Sequence, residues 1–313
     1  MSIIMSKNPF VGLRPYKTSE NESFHGREKE VESILSIIQK NKLVFLTGPS
    51  GSGKTSIINA GIIPRLRNGF TGQSGSRWSI CKFRPGTSPL SNLSFSLSNG
   101  ELVLDKKPQT NDFRNYRNTI LEIQDLSIGK IYKDSEISNK KNLLIIIDQL
   151  EDLFIFKNLV SNDELSEDVL LLNIVSRTIR LFDCSVYFLI SLKTEFLKTL
   201  SSYTNIQQIL TNSQYPIQNI GADGILKIVN KTFTRQNIII DNSLLEDIIN
   251  KTTRNIGLLP NLQVMFQSFF ESFESSSTIT IENSSKIGDI ENVINKKLNI
   301  FHDNLNENDQ IFL

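Results

Sequence analysis

The sequence predicts an α/β fold: a mainly parallel five-stranded sheet flanked by helices, followed by a C-terminal helical subdomain. Three observations carry this. Apolar segments recur at residues 43–46, 79–83, 143–147, 184–191 and 215–220, and the run Leu143, Leu144, Ile145, Ile146, Ile147 is continuous, as a parallel strand buried on both faces requires. Between segments, apolar residues repeat at helical spacing, as in Val31, Ile34, Leu35, Ile38 and in Leu170, Leu171, Ile174, Val175. From Gly224 onward the spacing is helical, over residues 225–234, 244–252 and 260–273.

Length and composition bound the answer. A chain of 313 residues holds one large domain or two ordinary ones, because single cores stop growing near about 250–300 residues. The net charge of +1 gives no strong attraction to nucleic acid or to an anionic membrane. Cys81 and Cys184 fall in expected strands and read as buried thiols rather than a disulfide. The only histidines are His25 and His302, and no Cys/His cluster has zinc spacing. Residues 1–7 lack the charged head and apolar core of a signal peptide. No apolar run approaches the roughly 18 residues of a membrane span, so a cytoplasmic protein without membrane contact is expected. The Ser/Asn/Lys-rich stretch 91–142 and the segment 274–285 read as loops or connectors.

In chain order, residues 8–16 read N-P-F-V-G-L-R-P-Y, an extended lead-in with two prolines. Phe24, Gly26 and Arg27 stand ahead of the helix that begins near Val31; on spacing, Phe24 and Arg27 read as a helix-start staple and a surface charge. The strand 43–46 then runs into Gly48, Pro49, Ser50, Gly51, Ser52, Gly53, Lys54, Thr55 and Ser56, a complete G-x-x-x-x-G-K-[ST] loop with Ile57, Ile58 and Ala60 opening a helix behind it. Wrapping main-chain N–H groups around a pyrophosphate demands backbone angles and a closeness of approach that side chains obstruct, hence Gly48, Gly51 and Gly53. Lys54 then meets the β and γ phosphates, the Thr55 hydroxyl holds Mg2+, and the positive end of the helix dipole lies under the anion. The pattern and its context predict a P-loop NTPase.

Further along, the strand 79–83 leads to Arg84, which reads either as a functional cation or as a structural arginine paired with a carboxylate. The strand 143–147 ends on Asp148, where an acid holds Mg2+ directly or through water. Glu151, and after it Asp152, are the acids placed to orient a water for hydrolysis. Glu151 has a second reading, as a solvated acid favoured by a helix start. The fourth strand runs into Leu192 and Lys193, the fifth covers residues 215–220.

Taken together, N-P-F-V-G-L-R-P-Y, F-H-G-R-E-K-E, G-P-S-G-S-G-K-T-S, I-I-P-R-L-R-N-G, F-R-P-G-T-S-P-L and I-I-I-D-Q-L-E-D-L-F resemble the bacterial STAND NTPases, specifically the group called novel STAND NTPase 1, over nearly the whole chain. The resemblance implies an ATP-dependent conformational switch with slow or absent hydrolysis, acting in signalling or anti-phage defence and oligomerising in its open state. It assigns Phe24, Gly26 and Arg27 to an adenine pocket; no N-K-x-D or T-K-x-D element is present to read guanine. Where the family usually reads T-L-R-x-D-F, with the arginine sensing the γ phosphate, this chain has Lys193 and Glu195. Lysine keeps the charge and loses the planar fork. A well-placed arginine contributes about 10³ to 10⁵ in rate, so sensing is expected to survive and fast hydrolysis is not.

The segment Gly257, Leu258, Leu259, Pro260 resembles a family element whose proline packs near the base, although Pro260 also suits the first turn of a helix. The organisation expected is a lead-in (1–20), a P-loop NTPase domain (21–221), a helical subdomain (222–303) and the truncated start of a winged-helix region (304–313), with sensor and effector partners beyond the chain. Two readings from other classes stay open: a non-hydrolysing ATP-bound interaction scaffold, and an initiator-like DNA-loading ATPase.

Overall fold

A computed structural model of the protein describes residues 8–73, 75–99, 110–156, 166–234, 238–254, 259–272, 278–280 and 282. The expected winged-helix start, Gly257, Leu258 and most of the segment 274–285 lie outside these residues. Five strands form the expected parallel sheet: β1 (Leu43–Gly48), β2 (Trp78–Phe83), β3 (Asn142–Ile147), β4 (Val186–Lys193) and β5 (Gln214–Pro216), in the order β2-β3-β4-β1-β5. The three inner strands are buried along their length except at Lys193, which explains their unbroken apolar runs. Edge strand β2 alternates half-buried and buried residues, the period of a strand with one covered face.

The density of internal contacts divides the chain into two units: Lys29–Ser50 with Gly61–Ile217, and Met1–Glu28 with Gly51–Ala60 and Gln218–Leu313. The first holds the sheet. Phe45, Cys81, Ile145 and Phe188 build its core with Leu93, Ile128 and Leu171 from the helices. Cys81 and Cys184 are buried and form no disulfide. The stretch 91–142, expected as loops, instead carries the helices Pro89–Asn99, Thr110–Ile123 and Ser127–Asp134. Its sparse apolar residues decide this: Leu90, Leu93 and Leu97, then Ile128, Ile131 and Tyr132, fall on single helical stripes and are buried, which outweighs the polar residues between them. Strand β5 is shorter than expected: after Ile217 donates to the Thr47 carbonyl at 2.7 Å, the next position facing it on the β1 side is Pro49, which has no N–H to continue the ladder.

The second unit joins the lead-in to the helices Ala222–Thr232, Asn242–Arg254 and Leu259–Ser272. Phe10, Ile225, Phe233, Phe266 and Phe269 are among its buried core residues. It also contains a small parallel ribbon that periodicity did not indicate, β6 (Ile239–Ile240) beside β7 (Thr278–Ile279). Two residues per strand are too few to show an alternation. Among the described residues no helix is long and apolar enough to cross a membrane.

Candidate functional site

In the sheet unit the chemistry gathers at the carboxyl ends of the strands. Connections leaving β1 and β4, which are neighbours, run toward opposite edges of the sheet, and such a switch point is where α/β sheets bind ligands. Gly48, the last residue of β1, pairs in register with Lys193, the last of β4. One strand further, Asp148 follows β3 and is 2% exposed. Its Oδ1 accepts from Ser191 Oγ at 2.7 Å and its Oδ2 lies 3.1 Å from Lys82 Nζ. These two partners fix the direction of the carboxylate.

Gln149 takes a left-handed backbone at φ 63°, and its N–H donates to Ser191 Oγ at 2.8 Å. This corner starts the turn that carries Glu151 and the helix Asp152–Ile155. Glu151 is buried, and its Oε2 accepts from the main-chain N–H of Lys193 at 3.2 Å, so the acid first in line for hydrolysis is engaged in bracing the end of β4. Asp152 lies 3.8 Å from Arg84 Nε, the carboxylate partner anticipated for that arginine. Burial pushes the Asp152 carboxyl above its ordinary range, against the pull of Arg84, a Gly86 hydrogen bond and Lys193. Sequence reasoning missed Ser191 and Lys82; a serine inside an otherwise apolar strand was the available signal.

The loop leaves β1 with Pro49 half-buried and Ser50 exposed. From Gly51 it belongs to the other unit. Gly51 and Gly53 sit at φ 74° and 89°, where a side chain costs roughly 1–2 kcal/mol. A Cβ at Gly53 would also meet Leu259 Cδ2 at 3.2 Å. Gly53 is the N-cap of the following helix, Lys54–Ser56, and has no side chain with which to cap it. The Ser52 hydroxyl is buried and has no hydrogen-bond partner among the described residues. Left-handed glycines and an orphaned hydroxyl are what a phosphate group would complete. Lys54 is buried, Thr55 and Ser56 half-buried.

Also in this unit, Gly26 sits at φ 85°, and a Cβ there would come within 2.7 Å of the Gly224 carbonyl oxygen, so the two backbones cross in contact. Arg27 is 3% exposed and donates from Nη1 to the Gln218 carbonyl at 2.9 Å. Phe24 packs edge-on against Tyr16 at 5.5 Å. Pro260 is half-buried in the first turn of Leu259–Ser272.

The family model for Novel STAND NTPase 1 matches residues 9–313. The chain belongs to the Novel STAND NTPase 1 family. Solved structures agree on the fold of this STAND NTPase. The Walker-type ATPase PABY2304 of Pyrococcus abyssi is 12% identical, with a TM-score of 0.55 over 93% of this chain and 75% of that one. Drosophila ORC bound to DNA is 10% identical, with a TM-score of 0.57 over 100% and 75%. The Aeropyrum pernix ORC2 protein in ADPNP–ADP complexes is 13% identical, with a TM-score of 0.51 over 86% and 68%. No curated protein matches the sequence.

Proposed function

We propose that this STAND NTPase is an ATP-binding switch with slow intrinsic hydrolysis, working in the cytoplasm in signal transduction or anti-phage defence with further copies of itself or with larger sensor and effector partners. The observation that carries the reading is the loop: two left-handed glycines and a buried Ser52 hydroxyl with no hydrogen-bond partner among the described residues, directly ahead of Lys54. Lys54 would take the β and γ phosphates, with Phe24, Gly26, Arg27 and Pro260 on the adenine. Mg2+ would be held by Thr55 and Asp148, and when bound it offsets phosphate charge. Among the described residues no three His, Cys, Asp or Glu side chains converge, so such a cation depends on the phosphates for much of its oxygen shell.

Slow turnover is supported by three residues. Glu151 is buried on a main-chain N–H, burial favours the neutral form of Asp152, and Lys193 stands where the family's arginine would be. The engagement of Glu151 also favours a second reading, a scaffold that keeps ATP as a structural ligand. Single-turnover measurements separate the two: no ADP over hours, with the wild type matching Glu151→Gln, selects the scaffold. A DNA-loading role has the likeness in fold to ORC behind it and a net charge of +1 against it. DNA binding across salt concentrations decides that alternative.

The deciding experiment is identification by mass of the nucleotide carried by the purified protein, wild type against Lys54→Ala. Adenine nucleotide in the wild type, and binding weakened about 10- to 150-fold in the variant, is expected from the loss of a charge-assisted contact of roughly 1.5–3 kcal/mol. Guanine nucleotide, or equal binding by both proteins, would overturn the reading.

A further inference from the structure

Tyr16 closes the lead-in, and within its own unit it touches stretches far apart in sequence. Its main-chain N–H donates to Ser56 Oγ at 3.2 Å, and its carbonyl accepts from Asn59 Nδ2 at 2.9 Å. Both main-chain polar groups therefore go to the helix behind the phosphate loop. The hydroxyl lies 3.0 Å from Gln263 Oε1, on the helix Leu259–Ser272, and 3.2 Å from the Pro9 carbonyl. One phenolic proton cannot serve two acceptors at once; with the Gln263 amide turned, the hydroxyl donates to Pro9 and accepts from Gln263. Tyr16 is 5% exposed, and burial holds its phenol well above the ordinary range, so the hydroxyl stays protonated.

The grip falls where the helix is irregular. Ser56 ends the first α-helical turn, Lys54–Ser56, and Asn59 lies within a π-type segment, Ile57–Ile62. Such wide turns are uncommon and recur at functional sites. The lead-in is itself anchored by Phe10, whose ring lies tilted at 5.0 Å from Phe233 and 5.3 Å from Phe266, and is braced internally by Arg14 on both oxygens of Glu20 at 2.8 and 2.7 Å. Tyr16 is thus a fixed post against which the loop helix is set.

We propose that Tyr16 is a positioning residue of the nucleotide site: it sets the helix bearing Lys54, Thr55 and Ser56 for the phosphates and, through Gln263, ties that setting to the helix Leu259–Ser272. The proposal rests on the ATP reading above. It makes the lead-in part of the nucleotide machinery.

The test uses the full chain as wild type, Tyr16→Phe, Gln263→Leu and the double variant. Tyr16→Phe keeps the ring against Phe24 and removes only the hydroxyl. Three readings are taken: Mg·ATP affinity, the phosphorus NMR signals of the bound nucleotide, and amide exchange of residues 54–62 without nucleotide. Each single variant is expected to speed that exchange and weaken ATP by about 3- to 10-fold, the size of one net hydrogen bond. The β-phosphate signal should shift, which a loss of stability elsewhere would not cause. The double variant should be no worse than either single one, since both remove the same link. Wild-type affinity with unshifted phosphorus signals in Tyr16→Phe, or additive losses in the double variant, overturns the proposal alone. A wild type that binds no ATP sinks the ATP reading and this proposal with it. Should Tyr16→Phe fail to fold, Gln263→Leu carries the same test from the other end of the link.

Discussion

The sheet unit and the unit that carries the lead-in are made from opposite kinds of sequence. In the first, the three inner strands are apolar runs, and polar groups at their ends find partners on adjacent strands, as Asp148 does on Ser191 and Lys82. In the second, the core is collected from residues as distant as Phe10 and Ile279, and its buried polar contact joins Tyr16 to Gln263 across 247 positions. A sheet is written in local pattern plus register. A collected unit is written in pairs, and no window of sequence displays a pair.

The contrast can be broken most forcefully at Phe266, which is 0% exposed and packs against Phe10 and Phe233. Phe266→Ala should cost about 3–5 kcal/mol in denaturant unfolding, the range for emptying an aromatic site in a close-packed core. A loss below about 1 kcal/mol would mean that the collected core is loosely packed and the contrast with the sheet is overstated. Next comes Asp148→Ala, which takes away the acceptor of the Ser191 O–H and the buried carboxylate beside Lys82. About 2–3 kcal/mol should be lost, at the low end for a broken buried pair because Lys82 can turn toward water. Unchanged stability would show that strand-end chemistry is independent of the sheet beneath it.

The smallest effect sharpens the picture at Asp152. Its carboxyl, raised by burial above the ordinary 3.8, holds a proton more tightly folded than unfolded. Stability from this group is therefore full below 3.8 and declines as pH rises through the raised value. Asp152→Asn removes the decline, so the variant should gain on the wild type between acid and neutral pH. Parallel stability curves would show that the Asp152 environment is wetter than its burial indicates.

What was legible follows the same division. The five strands, the glycine-rich turn after β1 and the acid following β3 were visible because each depends on residues adjacent in sequence. The helices between residues 89 and 134 were hidden by Ser and Asn, whose preference for turns gave way to a few leucines and isoleucines sharing a stripe. Arg84 had two readings, and the structure brings it to Asp152, 68 positions away by subtraction of their numbers. Tyr16 stood at the end of the N-P-F-V-G-L-R-P-Y motif, but nothing there showed its partners at 56, 59 and 263, which are set by the folded chain.

At Gln149 the chain turns left-handed for one residue, between the acid that ends a strand and the acids that begin a helical turn. One residue with a left-handed backbone separates three acids, each with its own neighbours: a hydroxyl and an ammonium for Asp148, a peptide N–H for Glu151, a guanidinium for Asp152.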